Sequence, residues 1–589
     1  MKMKTLLQRI SIPVIKEFPL IVLLMLFCGM KGIIFRIFEQ FRNGTSPGDI
    51  SIGTYVSYLV IWFLFAYGIA FFVTHLHLKK GKWIIIAIAA VFFLVQDFLV
   101  HSFGSMISPQ YLTLVAETTR NESSEFFSQF VFSSLSIKPL IRTFFLLGVF
   151  ILLVFIWKRI NIKRITDRRI VPLLSFPILL LLFWGIYDIV TISCQLSREK
   201  ESFPEHLIPT DPVFRLVYST IVLNHYSQNL EKAIRLNSRL AVPQPENQQD
   251  SLSIVLVIGE SYSKWHTPLY GYYLNTTPFQ VEQKEKGNLF VFEDVVSTSN
   301  GTSDAVRNLL CCNSIAEDEE WYESAFLPAI FKQNGYTTNF WDNQRDFASN
   351  NVFSFTLNGF IFSPEITEMS YSHVNAKSFA FDEDLILNYE ESIREHAKKE
   401  FVVFHLMGQH FLPLQRYPHT PENEFFSSGD INKEAPYIND AKRQEIAEYD
   451  NATRYNDKVF KRITQLFQDR NSVIIYLSDH GDEIYDYRNQ IYREQGPLTK
   501  EKLKYQYEIP FMIWCSEKYK NYHSQHLQAF YEAADKPFSS DHLSHLILGL
   551  AGIETPYYRK ERDMLSPDYK CSKRVIDKIY DFDEIMHRN

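Results

Sequence analysis

The first 194 residues carry five apolar runs, at about Phe18–Phe38, Tyr55–His75, Trp83–Phe103, Leu140–Trp157 and Val171–Ile192. Each is long enough to cross a bilayer. Hydrocarbon offers no partner to a backbone amide, so runs of this kind have to be helices. Lys31 and Arg36 interrupt the end of the first run and have to snorkel to the surface. A cleaved signal peptide does not fit, because four more runs follow and no small-residue cleavage site is evident. The charges between the runs orient the bundle. Lys2, Lys4, Arg9 and Lys16 precede the first run, and Lys79, Lys80 and Lys82 separate the second from the third. Lys158, Arg159, Lys163, Arg164, Arg168 and Arg169 separate the fourth from the fifth. The loop from Gly104 to Ile137 instead sets Glu117, Glu122 and Glu125 against Arg120 alone. Positive loops stay in the cytoplasm, so the N-terminus is expected inside and everything after Cys194 outside.

A chain of 589 residues exceeds what one core fills, so at least two domains are expected. The net charge of -7, with no basic stripe, argues against a nucleic-acid partner. Six cysteines (Cys28, Cys194, Cys311, Cys312, Cys515 and Cys571) are too scattered for a disulfide framework, and sequence does not pair them. The reading is a five-helix membrane domain over 1–194, a linker over 195–250 and a catalytic domain over 251–589. Within the linker, Phe214–Val222 and Leu230–Leu240 are amphipathic enough to lie on a membrane surface or to pack on the domain. The Pro-punctuated stretch Val242–Asp250 marks the boundary.

From Ser251 to about Asp568, strand and helix patterns alternate, which predicts an α/β domain with helices on both faces of a mostly parallel sheet. Three apolar strands run directly into chemistry. Ser253–Gly259 ends in Glu260, Phe401–Phe404 runs through His405 towards His410, and Val473–Ser478 ends in Asp479-His480-Gly481. Open α/β sheets place their sites at such C-terminal strand ends. Thr338–Trp341 and Pro510–Trp514 read as further strands, and Ser324–Asn334, Glu445–Asp469 and Ser540–Leu550 as helices. An Asp-His-Gly turn alone is common, and a structural role is then its better reading. Coupled to Gly259-Glu260 and to the Ser/Thr-rich turn Thr298–Ser303, the balance reverses. A carboxylate and an imidazole side by side suit zinc or manganese.

Together these segments resemble the membrane phosphoethanolamine transferases of the alkaline phosphatase/sulfatase superfamily. The resemblance is carried by Val255–Ser261, Leu269–Tyr272 with Asn275–Pro278, His405–His410 with Arg416–Pro418, Tyr449–Asn451 with Tyr455–Asp457, Tyr476–Glu483 and Ile509–Trp514. With the five spans it covers almost the whole chain. Gly259-Glu260-Ser261 and Asp482–Asp486 are similar to the branch that acts on lipopolysaccharide core sugars. The resemblance implies a bacterial inner-membrane protein whose catalytic domain faces the periplasm. It implies zinc held by Glu260, Asp479 and His480 together with Thr302, the threonine nucleophile. The implied donor is phosphatidylethanolamine, and the implied acceptor is lipid A or the lipopolysaccharide core.

A hydroxyl is a weak nucleophile until a metal or a base takes its proton. Gly301 is expected to turn the backbone sharply and present Thr302 at a helix start, where amides can hold phosphate oxygens. Ser303, Ser299 and Ser261 are the rival hydroxyls. His410 is expected at the phosphate, as a ligand or as the acid for the leaving alcohol. His405 is expected to pack in the sheet, and His542 and His545 in a core helix. Asp342-Asn343 could reach the pocket. Tyr449, Asp450, Asn451 and Asp457 share one helix and either brace the site or form a solvated face.

The chain departs from the family in one place. Members commonly carry another histidine after the Asp-His-Gly turn, but Tyr485–Tyr507 has none. Arg488, Asn489, Gln490, Arg493, Glu494 and Gln495 are the polar candidates there. The sulfatase signature of Cys or Ser followed by x-Pro-x-Arg is absent, which argues against a sulfate ester. Two alternatives stay open: a glycerol-phosphate transferase of the lipoteichoic acid synthase type, and an inactive membrane scaffold.

Overall fold

The computed structural model describes residues 2–27, 52–78, 80–103, 106–118, 123–124, 126–127, 136–160, 174–199, 211–240, 251–345, 347, 356–493 and 498–587. Much of the first apolar run, the basic loop 161–170, the acidic positions Glu122 and Glu125, and the linker Val242–Asp250 lie outside the described residues. The chain divides into two compact units, Met1–His225 and the described residues from Tyr226 onward.

Among the described residues of the first unit, four helices are long and apolar enough to cross a membrane: Tyr55–His75, Gly81–Phe103, Ile137–Arg159 and Ser175–Ile192. They match the second to fifth expected spans. Ahead of them stand the helices Lys2–Lys16 and Phe18–Met25, so the described residues carry only the start of the first expected span. Large apolar side chains such as Phe144, Phe145, Phe183 and Tyr187 face outward, a surface suited to lipid rather than water. Asp97 is fully buried between two spans, and Arg142 Nη1 reaches its Oδ2 at 3.2 Å. An unpaired carboxylate would be expensive at that depth, so it meets a cation from the neighbouring helix.

A single helix, Pro212–Asn237, runs through both segments expected to be amphipathic. No glycine or proline falls between Val222 and Leu230 to stop it. Its last turns lie in the second unit, where Leu230 and Ala233 join the core and Asn237 Oδ1 accepts from Phe326 N at 2.9 Å.

The second unit is built on a seven-stranded sheet. Its strands in chain order are β1 (Leu252–Gly259), β2 (Leu289–Phe292), β4 (Thr337–Asp342), β5 (His373–Val374), β6 (Lys399–His405), β7 (Ser472–Ser478) and β8 (Phe511–Cys515), with the two-residue β3 (Val295–Val296) pairing β9 (Phe538–Ser539) alongside. The order is β2-β8-β7-β1-β6-β4-β5. The pairs β7–β1, β1–β6, β6–β4 and β4–β5 are parallel, and β8 alone runs against its neighbours. Alternation explains the layers. Ile254, Leu256 and Ile258 of β1 point into one apolar core, and Val255 and Val257 into the other. Both faces are therefore dry, and β1 is buried throughout. The expected helices appear as Leu327–Gln333, Asp440–Phe467 and Leu543–Ala551, the last preceded by a 3-10 turn at Ser540–His542.

The site depends on how the C-terminal ends of β1, β6 and β7 are tied together. Leu406 N donates to Ile258 O at 2.9 Å, Gln409 N to Glu260 O at 3.0 Å, and Asp479 N to Gly259 O at 2.9 Å. Asp382 holds the same turn from outside, its two oxygens accepting from Met407 N at 2.9 Å and Gly408 N at 2.8 Å. Gly408 has φ +50°, and a Cβ there would lie 2.7 Å from Glu260 O. Only glycine allows that approach. Gly408→Ala is therefore expected to destabilise the unit by about 1–3 kcal/mol through overpacking. A lower denaturant midpoint with unchanged slope would show it; an unchanged midpoint would mean the turn is not held as described.

Candidate metal centre

β1 and β7 are neighbours in register, with Gly259 opposite Ser478, so Glu260 and Asp479 emerge side by side. Glu260, Asp479 and His480 are all buried, and one ligand atom from each lies within 4.8 Å of the others. His480 Nδ1 sits 2.9 Å from Gly481 O. Placing the ring proton on Nδ1 satisfies that carbonyl and leaves the Nε2 lone pair facing inward, 3.1 Å from Asp479 Oδ2 and 3.3 Å from Glu260 Oε1. Asp479 Oδ2 is buried with no hydrogen-bond partner. Two carboxylate oxygens and an imidazole nitrogen with their electron pairs converging are a donor set that a zinc or manganese ion fits.

The electrostatics agree. Burial pushes both carboxyls up. His480, His410 and Arg493 overcome it at Glu260 and hold that group well below the usual carboxylate range. Asp479, buried beside ionised Glu260, stays well above its range. Burial and Arg493 lower His480 against the pull of Glu260, and a metal ion at Nε2 requires the neutral ring. Metal binding in such a pocket displaces a proton.

Thr302 begins the helix Thr302–Leu310. Its Oγ1 donates to Glu260 Oε2 at 2.9 Å and lies 3.3 Å from His480 Nε2. The four expected residues are thus brought together. Gly301, however, has φ -125° and ψ 129°, ordinary extended backbone. The helix start does not need glycine's freedom there, contrary to expectation; a Cβ would meet only Ser299 Oγ at 3.7 Å. Of the rival hydroxyls, Ser261 Oγ donates to Glu260 Oε1 at 2.8 Å but is fully buried, and Ser299 Oγ accepts from Gly301 N at 3.2 Å. Ser303 follows Thr302 in the helix and is half-buried.

His410 lies in the turn after β6, close enough for its charge to act on Glu260. His405 is buried at the strand end with Nδ1 3.3 Å from Asp342 Oδ1, and that carboxylate, against burial, raises its pKa. Asn343 Nδ2 donates to Asp382 at 2.8 Å, so Asp342 and Asn343 support the turn behind the site. His542 meets Ser314 Oγ at 3.0 Å, and His545 Nδ1 accepts from Arg559 N at 3.2 Å, inside the core.

The helix residues Tyr449, Asp450, Asn451 and Asp457 are all buried, which rules out a solvated face. Tyr449 Oη donates to Ser261 O at 2.6 Å and accepts from Ser263 N at 2.7 Å. It thereby secures Ser261 at φ +55°, a value costly to a residue with a Cβ. Asp450 Oδ1 lies 2.7 Å from His266 Nδ1. Asn451 Oδ1 accepts from Phe426 N at 2.8 Å, and Asp457 Oδ2 from Phe279 N at 2.7 Å.

Sequence reasoning missed Gln344, whose Nε2 donates to Glu260 Oε2 at 3.2 Å and to Leu406 O at 2.8 Å. Its position two residues beyond β4 was the available signal. Arg493, one of the polar candidates after the Asp-His-Gly turn, reaches His480 Nε2.

A family model described as Sulfatase matches residues 253–553. The chain is 28% identical over 494 residues to the phosphoethanolamine transferase EptC of Escherichia coli K12, covering 81% of each protein. The solved C-terminal periplasmic domain of that organism's EptC in complex with Zn is 26% identical at TM-score 0.50, covering 59% of this chain and 98% of that one. The integral membrane lipooligosaccharide phosphoethanolamine transferase A of Neisseria meningitidis shares the fold at TM-score 0.59 and 17% identity, over 92% of this chain and 97% of that one. Asp479→Ala should lower zinc affinity by at least about 10–100-fold, the loss seen when even an outer partner of a metal ligand is removed. Chelator competition on the purified protein measures it, and full occupancy at unchanged affinity would take Asp479 out of the centre.

Proposed function

The chain belongs to the sulfatase family, and on that premise we propose that it transfers phosphoethanolamine from phosphatidylethanolamine to lipid A or the lipopolysaccharide core. The observation that carries this reading is the Thr302 hydroxyl, set at a helix N-terminus between Glu260 Oε2 and His480 Nε2. Glu260, Asp479 and His480 would hold a zinc ion, with Thr302 as a fourth oxygen. Bound there, the ion supplies the positive charge that lowers a hydroxyl's pKa and offsets charge building on phosphorus. The EptC relative and its zinc complex support both the metal and the group transferred.

Two displacements make up the reaction. Thr302 Oγ passes its proton to Glu260 Oε2, which already accepts its hydrogen bond, and attacks the phosphorus of the donor; the Thr–O–P bond forms and the bond to the diacylglycerol oxygen breaks. His410 gives that oxygen its proton. An acceptor oxygen then attacks the same phosphorus, a hydroxyl giving its proton to His410, and Thr302 Oγ leaves, taking its proton back from Glu260. The amides of the helix Thr302–Leu310 face the phosphoryl oxygens at its N-terminus. Donor and acceptor are both lipids, and an anchored enzyme meets them at high effective concentration. The sequence lacks the Cys/Ser-x-Pro-x-Arg signature that a sulfatase needs.

For topology we infer five spans with the N-terminus cytoplasmic, supported by four apolar helices and the alternating loop charges. An alkaline phosphatase reporter fused at Val242 should be active and one fused at Lys163 silent. The opposite pair of results would reverse the orientation.

The sharpest test concerns the hydroxyl. Incubation with phosphatidylethanolamine should add one phosphoethanolamine mass to the peptide holding Thr302. Thr302→Ala should abolish adduct and transfer, a loss of at least about 10³-fold, while zinc stays bound through the other three residues. Thr302→Ser retains a hydroxyl and is expected to keep part of the activity. An adduct on Ser303 or Ser261, or transfer by the alanine variant, would refute the assignment. A glycerol-phosphate mass on Thr302 would instead favour the lipoteichoic acid synthase type of chemistry.

A further inference from the structure

Arg493 stands where no role has been assigned. Its side chain is 25% exposed, and its guanidinium lies among the buried groups of the centre. Nη1 donates to Asn300 O at 2.7 Å and to His480 Nε2 at 2.5 Å, while Nη2 lies 4.0 Å from Glu260 Oε1. Thr302 Oγ1 lies 3.3 Å from the same His480 Nε2. The guanidinium and the candidate nucleophile therefore converge on one atom, and Arg493 also holds the backbone two residues ahead of Thr302.

With its proton on Nδ1, His480 has one lone pair at Nε2, which can serve Arg493 or a metal ion but not both. Metal binding would release a guanidinium donor while Asn300 O keeps the side chain in place. Ionised Glu260 and Asp479 with neutral His480 cancel one dication, so an arriving phosphoryl anion finds no net attraction from that set. Arg493 adds a permanent positive charge at the open side. Its planar fork matches two phosphate oxygens.

We infer that Arg493 is the phosphate-binding cation of this site, paired with His480 Nε2 until metal binds and with the non-bridging phosphoryl oxygens afterwards. This rests on the phosphotransfer reading and adds to it the residue that selects an anionic phosphoryl group. Arg493 would touch the reacting group throughout both displacements, since neither one neutralises the non-bridging oxygens.

The test uses full-length wild-type, Arg493→Gln and Arg493→Lys proteins in detergent micelles. Chelator competition reads zinc affinity. Calorimetry reads binding of phosphoethanolamine and, separately, of ethanolamine to the zinc-loaded proteins. Mass spectrometry reads the rate of threonine adduct formation from phosphatidylethanolamine. Arg493→Gln should bind zinc as tightly as wild type or more tightly, because a competitor for Nε2 is gone. It should lose phosphoethanolamine affinity without losing ethanolamine affinity, and form the adduct about 10²-fold more slowly, as when one transition-state donor is removed. Arg493→Lys restores a point charge without the fork and should recover part of both losses. The inference is overturned if Arg493→Gln keeps wild-type phosphoethanolamine affinity and adduct rate. It is also overturned if both variants lose zinc, which would make Arg493 a prop for His480. A wild-type protein that forms no adduct would sink the phosphotransfer reading instead, and the zinc and phosphoethanolamine measurements would still decide the role of Arg493.

Discussion

Two carboxylates and an imidazole packed into one dry pocket are the constraint around which the second unit is arranged. Taking one such ion out of water costs several kcal/mol even after the protein relaxes. Glu260, Asp479 and His480 all have exposures of 1% or less. Their mutual contacts cannot offset that alone, because Glu260 and Asp479 repel. A divalent cation would resolve the conflict, drawing on the same oxygens that otherwise oppose each other. The arrangement is poor as a scaffold and good as a receptor for positive charge.

Holding such a set requires rigid backbone, and parallel strands supply it. β1 and β7 share a ladder, so the residues that follow them have to emerge together. The turn after β6 then folds over Glu260, possible only because Gly408 has no side chain. Gly481 makes a second such approach, since a Cβ there would fall 2.3 Å from Tyr505 O. Tyr449 fixes the opposite side by bonding the backbone at Ser261 and Ser263. Strain at Ser261 is sustained because Tyr449 is itself buried in a helix that packs along the sheet. The positions of Glu260, Asp479 and His480 are thus set by main-chain geometry from three strands and one helix, and their side chains have little freedom of their own.

That division explains what could be read from the sequence. Strands ending in Glu260, His405 and Asp479-His480 were legible because an apolar run followed by a polar side chain is a local pattern. The four apolar spans between Tyr55 and Ile192 were legible for the same reason. The antiparallel direction of β8 was not, because a buried apolar strand reads alike either way. Asp382 left no local mark either, since it reaches Gly408 across 26 positions, and Gln344, whose one signal was its place just beyond β4, reaches Glu260 across 84. Gly301 misled in the opposite sense. A glycine before a helix suggests special backbone, but its φ is ordinary and any residue could adopt it. The amphipathic stretches Phe214–Val222 and Leu230–Leu240 suggest separate segments, but with no glycine or proline between them one helix, Pro212–Asn237, covers the first and most of the second.

On the proposed reaction, a site of this charge has to distinguish the transferred group from other anions. Ethanolamine carries a positive charge and the phosphodiester a negative one, so a donor headgroup arrives nearly neutral overall but strongly dipolar. Arg493 and the N-terminus of the helix Thr302–Leu310 present positive charge to the phosphoryl end. The turn Asp482–Glu483 follows Asp479 and His480 with both side chains buried, and Arg488 is paired with Glu483. Burial pushes Asp482 up to about 7 although Arg493 works against it, so it titrates near neutrality. Orientation matters more than affinity for a covalent route. On the proposed route the phosphorus would face Thr302 twice, once with diacylglycerol opposite the hydroxyl and once with the acceptor there. Fixed main-chain geometry at Glu260, Ser261 and Thr302 would let both encounters use one arrangement, with only the lipid exchanged.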